Sequence, residues 1–377
     1  MAKSEKDRKE YPVFQKYFSK LQDPRRTSKG NILYPLEEIL FLCISAVISG
    51  TESWTFIQEF GEQKIDWLRK FYPYKHGIPS HDVLGKLFSR ICPETFNACF
   101  IDWVNSISTL SKGEIIAIDG KSIRGSGSKT TAKSAFHVVS AFACENGLCL
   151  GQKEVGDKSN EVTAIPLLLD LLSLKDCVIT IDAMGCQKDI ASAIIEQEAD
   201  YILAVKGNQK ELLDQTTKLF TLHSNEEGSY EHDLSHGRIE KRTCQVLDDL
   251  TFFDDADQWK GLQSIIKVSS ERTIKSNGKT SSETRYYISS LPKNASKMNQ
   301  AIRKHWNIEN NLHWNLDVVF GEDSALKKKG FSALNFNIVL KTALTIINRE
   351  KSTKKSKPTK RLKAALSDKY REKILFS

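Results

Sequence analysis

A chain of 377 residues with 40% hydrophobic and 27% charged residues has the composition of a globular protein, which excludes a disordered or fibrous polymer and leaves room for two or three structural units. Lys and Arg number 55 against 47 acids, a net charge of +8. The excess sits at the ends, with nine Lys/Arg against four acids in residues 1–30 and no acid at all in KSTKKSKPTKRLK, residues 351–363; such stretches suit solvation or contact with phosphate.

Residues 1–110 read as helical throughout. A helix over 11–21 ends at Asp23-Pro24-Arg25, and one over 36–49 carries apolar residues on most faces before stopping at Gly50, which marks it as buried. Another follows Ser80 as cap, and a fourth runs from Pro93 toward residue 107. At residue 114 the texture changes: EIIAID, AFHVVSAF and LCLGQKEV are short β-rich runs separated by turn residues. A helix over 161–173, the strand CVITID, a helix over 187–197 and the strand YILAVK complete the order β-β-β-α-β-α-β. Direct connections make antiparallel neighbours and helical crossovers make parallel ones. The expected fold class is therefore α/β, a ribonuclease-H-like mixed-sheet core over 111–222 and 295–350 with an all-α N-terminal domain over 1–110. Residues 223–294, with RIEKRTCQVL, LQSIIKVSS and ETRYYISSL, read as a β-rich insertion. Helical spacing returns over 295–314 and 332–349, and residues 351–377 read as a basic tail. The eight cysteines form no CxxC pair, which argues against zinc fingers and disulfide scaffolds. The start MAKSEKDRKE lacks the apolar core of a signal peptide, and the longest apolar run, residues 39–49, is short of the roughly 20 residues of a membrane span. A cytoplasmic protein without membrane contact is expected.

Asp119 ends the first apolar strand, in IIAIDGK, and Asp182 ends the fourth, in CVITIDAMG. Carboxylates there are costly to desolvate unless they face solvent, a partner or a cation. Groups at the carboxyl ends of parallel strands project into the ligand crevice, and the first and fourth strands of this order are neighbours, so the two acids should meet. Paired carboxylates repel unless a divalent cation neutralises them, and oxygen donors favour Mg²⁺ or Mn²⁺ over zinc. Either Asp alone could equally cap a turn. A third ligand is expected from a helix across the sheet, in IRKHWNIENNLHWNLDVVFGED. On a regular α-helix Glu309 shares a face with His305 and His313, beside Arg303 and Trp306. Asp317 would lie about 80° round and about 12 Å further along, and with Glu322 and Asp323 it remains a rival. Lys121 and Arg124 after the first strand, Lys206, Asn208 and Gln209 after the fifth, and His236, Arg238, Lys241 and Arg242 in the insertion are candidate phosphate contacts. Trp306 and Trp314 are candidates for stacking on an unpaired base, against the ordinary reading of a helical Trp as core.

FSKLQDPR, YPLEEIL, GIPSHD, IAIDGK, KSNEVTAIP, ITIDAMGCQKDIA, DYILAVKGNQ, SHGRIEKR and IRKHWNIENNLHWNLDVVFGED span nearly the whole chain. Together they resemble the H-repeat-associated transposases of bacterial insertion sequences, a branch of the Asp-Asp-Glu transposases. The resemblance implies an enzyme that cleaves and joins DNA at insertion-sequence ends, with Asp119, Asp182 and Glu309 as ligands of two divalent ions, Mg²⁺ or Mn²⁺, when DNA is bound. It implies double-stranded DNA as partner, both element ends and target, a homodimer on DNA, no nucleotide cofactor, and a place at the bacterial nucleoid. The ribonuclease-H fold offers a further acid at the start of its first helix, here Glu161, where the macrodipole alone would also favour one; Glu161 and Asp317 are the alternative ligands. Where related transposases place Tyr, Arg and Lys around the Glu, this chain has Ile302, His305 and Leu316; His305 can contact phosphate if protonated, Leu316 cannot, and Arg303 or Lys304 can substitute. End recognition is expected before residue 110, through the helix after Ser80. Competing readings are a nuclease on the same core without strand transfer and a retired transposase that only binds DNA. A covalent recombinase is disfavoured, because no basic cluster of the kind that would activate such a nucleophile stands out around any Tyr or Ser.

Overall fold

The computed structural model describes residues 13–26, 30, 32–127, 134–156, 159–223, 228–234, 237–254 and 256–376. Val13–Phe18 (α1), Leu36–Ile48 (α2), Trp54–Gln63 (α3), Ile65–Leu68 (α4), His81–Phe88 (α5) and Pro93–Ile107 (α6) precede the first strand. Ser80 caps α5 by accepting the Val83 N–H, and Pro93 opens α6, as the sequence predicts. Then come Ile115–Ile123 (β1), Phe136–Ala143 (β2), Leu148–Val155 (β3), Glu161–Leu169 (α7), Val178–Ile181 (β4), Lys188–Glu196 (α8), Asp200–Val205 (β5) and Lys210–Leu222 (α9). The chain continues through Gly228–Asp233 (β6), Arg238–Leu247 (β7), Ser264–Ile274 (β8), Thr280–Ser289 (β9) and Ala295–His305 (α10). It ends with Ser332–Arg349 (α11), Lys357–Leu366 (α12) and Asp368–Leu375 (α13).

The strands form one nine-stranded sheet in the order β3-β2-β1-β4-β5-β9-β8-β7-β6. β1 pairs antiparallel with β2 and parallel with β4, and β4 pairs parallel with β5, because α7 and α8 supply the crossovers. The mixed sheet is thus as the strand order predicts. The β-rich region is not a separate layer, however: β9 pairs with β5, and β8, β7 and β6 carry the same sheet outward. α7 covers β2 and β3, while α10 lies against β1 and β4 and α11 reaches β3.

The N-terminal helices do not stand apart either. In α2, LEEILFLCISAVI, every residue except Glu37 is buried, and a helix apolar on all faces must be covered on all sides. α1, α3, α11, α12 and α13 supply that cover, so the two ends of the chain share one core. Most of the expected basic tail is consequently helical, with Ser356 and Ser367 capping α12 and α13. Arg361 and Arg371 are buried there: the Arg361 guanidinium donates to Val47 O and lies over the Phe320 ring, and Arg371 pairs with Asp368 over the Trp67 ring. Part of the basic excess is thus structural, with aliphatic stems packed and charges satisfied within the protein. Of the eight free thiols all but Cys92 are buried, behaving as small hydrophobes. Among the described residues no helix is long and apolar enough to cross a membrane.

Candidate active site

Asp119 and Asp182 come together because parallel pairing of β1 with β4 ends at Ile118 and Ile181, and each acid is the next residue of its strand. β1 does not stop at Asp119, as expected, but runs on to Ile123 paired with β2 alone. Asp119 therefore marks where β1 parts from β4 and the sheet opens into a cleft of ≈600 Å³, lined among others by Asp182, Lys206, Arg285, Trp306 and Glu309. Each carboxylate also holds its own backbone: Asp119 accepts the Gly120 N–H at 2.9 Å, and Asp182 accepts the Met184 N–H at 3.0 Å. The turn-capping role and the cleft role coexist.

The segment carrying Glu309 is not the continuous α-helix of the sequence reading. α10 ends at His305, and Ile308–His313 and Asn315–Val319 wind as wider π-helix, so the 100° step that set the phase of Asp317 does not apply. Glu309, its side chain 55% exposed, reaches the cleft, with its Oε2 3.0 Å from His313 Nδ1, which lies 3.6 Å from Asp119 Oδ2. Asp317 turns elsewhere. Its carboxylate is 2.7 Å from Lys121 Nζ, which also pairs with Glu322 and, at 3.5 Å, with Asp323. Lys121, expected on phosphate, is thus held inside the protein by three acids. Those acids are a group that could hold a metal, but the Lys121 ammonium already stands among them.

Glu161 approaches from the opposite face. Residue 120 points toward α7 while Asp119 points toward α10, by strand alternation, and a Cβ at Gly120 would overlap the Glu161 carboxylate and the His137 ring. Glycine at that position lets Glu161 lie directly over β1, where His137 Nε2 holds it at 2.6 Å and Ser122 Oγ meets His137 Nδ1 at 2.9 Å. The electrostatics follow from this crowding. Burial, opposed by the Gly120 N–H and reinforced by the charges of Asp182, Glu161 and Glu309, pushes the Asp119 carboxyl up to about 7. Burial pulls the His313 imidazole down to about 3, with Lys341, Lys121 and His305 adding to it. His305 is lowered as well, again mainly by burial and partly offset by Asp182. With Nδ1 3.0 Å from Thr180 Oγ1, His305 props α10 on β4 as a neutral group and does not offer a charge to phosphate.

The other candidates divide. Lys206 lines the cleft, and Arg124 is 82% exposed at its side chain. Asn208 and Gln209 are committed to structure: their amides donate to Ala183 O at 2.7 Å and Cys186 O at 2.9 Å, pinning the loop behind Asp182. Arg303 is paired with Asp233 and Glu231 of β6. Arg238 lines a second, polar cleft that shares Trp306 and Arg285 with the first; His236 lies outside the described residues. Trp306 and Trp314 are 45% and 52% exposed, against the core reading, and the Arg285 guanidinium lies over the Trp306 ring at 5.3 Å. Sequence reasoning missed His137, Arg285 and Lys341. A lysine in the apolar run of α11 was the available signal for the last; it is fully within the core and donates to Ser140 Oγ and Gln152 Oε1, as a buried ammonium must.

The family described as transposase DDE domain matches residues 110–346, and the one described as DDE_Tnp_1-associated matches residues 15–104. The protein named "Putative transposase YncI" from Escherichia coli O157:H7 is 42% identical over 368 residues, 96% of this chain and 94% of that one. "H repeat-associated putative transposase YhhI" from Escherichia coli K12 is 41% identical over 95% of this chain and 96% of that one. Among solved structures, the cryo-EM piggyBac transposase synaptic complex with hairpin DNA aligns at a TM-score of 0.45 and 11% identity, over 99% of this chain and 84% of that chain, a likeness too slight to bear on the fold. With the family spanning the whole mixed-sheet core and relatives matching nearly end to end, the chain belongs to the DDE transposases, in the H-repeat-associated branch.

Proposed function

We propose that the protein cleaves and joins phosphodiester bonds at the ends of an insertion sequence, with Asp119, Asp182 and Glu309 as the metal-holding acids. The observation that carries this reading is the meeting of Asp119 and Asp182 where β1 parts from β4, in a cleft that Glu309 also lines. The donor set fits a divalent ion: burial of Asp119, with the charges of Asp182, Glu161 and Glu309 adding to it, drives its carboxyl up to about 7, a cost that a cation would relieve, and the carboxylate oxygens suit Mg²⁺ or Mn²⁺. Two such ions, when bound with DNA, would activate the attacking oxygen and stabilise the leaving 3′-oxygen.

The chain's own residues prepare the rest. Asn208 and Gln209 fix the loop that follows Asp182, and His137 fixes Glu161 against β1 as a candidate fourth acid. Lys206 offers a cation to a phosphate entering the cleft, and Trp306, braced by Arg285, offers an aromatic face at its rim. Joining two ends calls for two copies on DNA, so the working form is a homodimer. A duplex carrying the inverted repeats that flank the gene is the test substrate. Asp119→Asn, Asp182→Asn and Glu309→Gln should each abolish Mg²⁺-dependent cleavage while DNA binding persists. A variant cleaving at a tenth of the parent rate would remove its residue from the site. Supplying a precleaved end with a free 3′-hydroxyl separates a transposase, which joins it to target DNA, from a nuclease, which does not.

A further inference from the structure

Among the described residues, the group of ligand-type atoms that includes Asp119 is not three oxygens. Asp119, Glu309 and His313 each place one within 4.8 Å of the other two. His313 Nδ1 stands 3.0 Å from Glu309 Oε2 and 3.6 Å from Asp119 Oδ2. Adjacent ligands on an octahedral ion with bonds of about 2.1 Å are separated by √2 times that length, about 3 Å, so these spacings suit neighbours on one cation. The imidazole is 3% exposed. Its Nε2 is buried without a hydrogen-bond partner, so the side chain's polar contacts run through Nδ1, the nitrogen that faces both carboxylates. The π-helical winding of Ile308–His313 sets Glu309 and His313 side by side at this point.

We infer that His313 is a nitrogen ligand of the cation held by Asp119 and Glu309, making one metal position a mixed nitrogen and oxygen site. This rests on the functional reading above and extends it to metal choice: imidazole suits first-row transition ions better than Mg²⁺, so the position favours such ions, with Mn²⁺ as the working probe. An imidazole that only donated Nδ1–H to Glu309 would orient that carboxylate and confer no such preference.

The test is pulsed electron paramagnetic resonance of Mn²⁺ bound to the full-length protein. The spectrum should carry modulation from a directly bound nitrogen that changes on ¹⁵N-histidine labelling, persists in His305→Gln and vanishes in His313→Gln. Mn²⁺ affinity in His313→Gln should fall about tenfold or more, as for loss of groups supporting a metal site, with Mg²⁺ affinity, read by competition, changing less. Should His313→Gln fail to unfold cooperatively, the labelled parent with His305→Gln and His137→Gln decides the matter, since coupling retained in both variants excludes the imidazoles beside Thr180 and Glu161. Mn²⁺ binding that is lost in Asp119→Asn yet shows no histidine nitrogen overturns the inference and spares the acidic site. Mn²⁺ binding indifferent to Asp119→Asn overturns both.

Discussion

Replacing Asp119 by Asn should make the metal-free protein more stable while destroying its activity. The Asp119 carboxyl is raised from 3.8 to about 7, so the folded chain keeps a proton that the unfolded chain releases. Stability is therefore highest below the unfolded value, falls as pH rises from about 4 to about 7, and carries the full penalty above that. A shift of about 3 units at 1.36 kcal/mol each sets an upper bound of about 4 kcal/mol. The side chain is 27% exposed, and coupled acids share the cost, so about 2–4 kcal/mol is expected. Asn keeps the shape and the oxygen that accepts the Gly120 N–H but carries no charge to desolvate. At about 2.1 cal/mol/K per residue the unfolding entropy of this chain is about 0.8 kcal/mol/K, giving a Tm gain of about 3–5 °C. The assay is urea and thermal unfolding in EDTA at pH 8 and pH 4.5, repeated with Mg²⁺. The variant should lead at pH 8, draw level near pH 4.5, and lose its lead when Mg²⁺ stabilises the parent. Equal or lower stability of Asp119→Asn at pH 8 in EDTA would refute the claim that burial of a charge among other acids strains this site.

Lys121 stands among three acids, one of them the buried Glu322. Lys121→Met should therefore cost about 3–5 kcal/mol in urea unfolding by stranding them, whereas Asp317→Asn, which removes one of three competing charges, should cost less than about 1 kcal/mol and leave cleavage largely intact; similar costs for the two would remove Lys121 as the hub. Gly120→Ala should displace the Glu161–His137 pair and lower cleavage, and adding Glu161→Ala should recover part of the lost stability, with a coupling of about 0.5–3 kcal/mol; strictly additive effects would mean that Glu161 does not occupy the gap above β1. A fragment of residues 1–110 should not fold alone, since α2 is covered by α11, α12 and α13. A cooperative melt of that fragment by circular dichroism would contradict the shared core, and end recognition is accordingly best measured on the full chain.

Strand order and the two Asp positions were legible in the sequence because they rest on local rules. Alternation of apolar residues marks a strand within a few positions, and a direct or helical connection decides antiparallel or parallel pairing. Asp119 and Asp182 could thus be placed side by side from two short strings, and the pairing of Ile118 with Ile181 puts them there. The helix bearing Glu309 was legible as a helix but not as a π-helix, since the composition of IENNLH does not reveal which carbonyl each N–H will reach. What only the tertiary structure decided are the pairings between segments far apart in the chain. Lys121 meets Asp317 across 196 residues, and Lys341 meets Ser140 across 201. Lys121 read as a candidate phosphate contact and Lys341 drew no reading at all until a low-dielectric interior brought their partners within hydrogen-bond distance. The same holds for α2, whose all-round apolarity announced burial but not its cover, and for Gly120, whose missing side chain has meaning only once Glu161 lies over it. Burial decides which charges must pair and which must stay neutral, and burial is a property of the assembled chain.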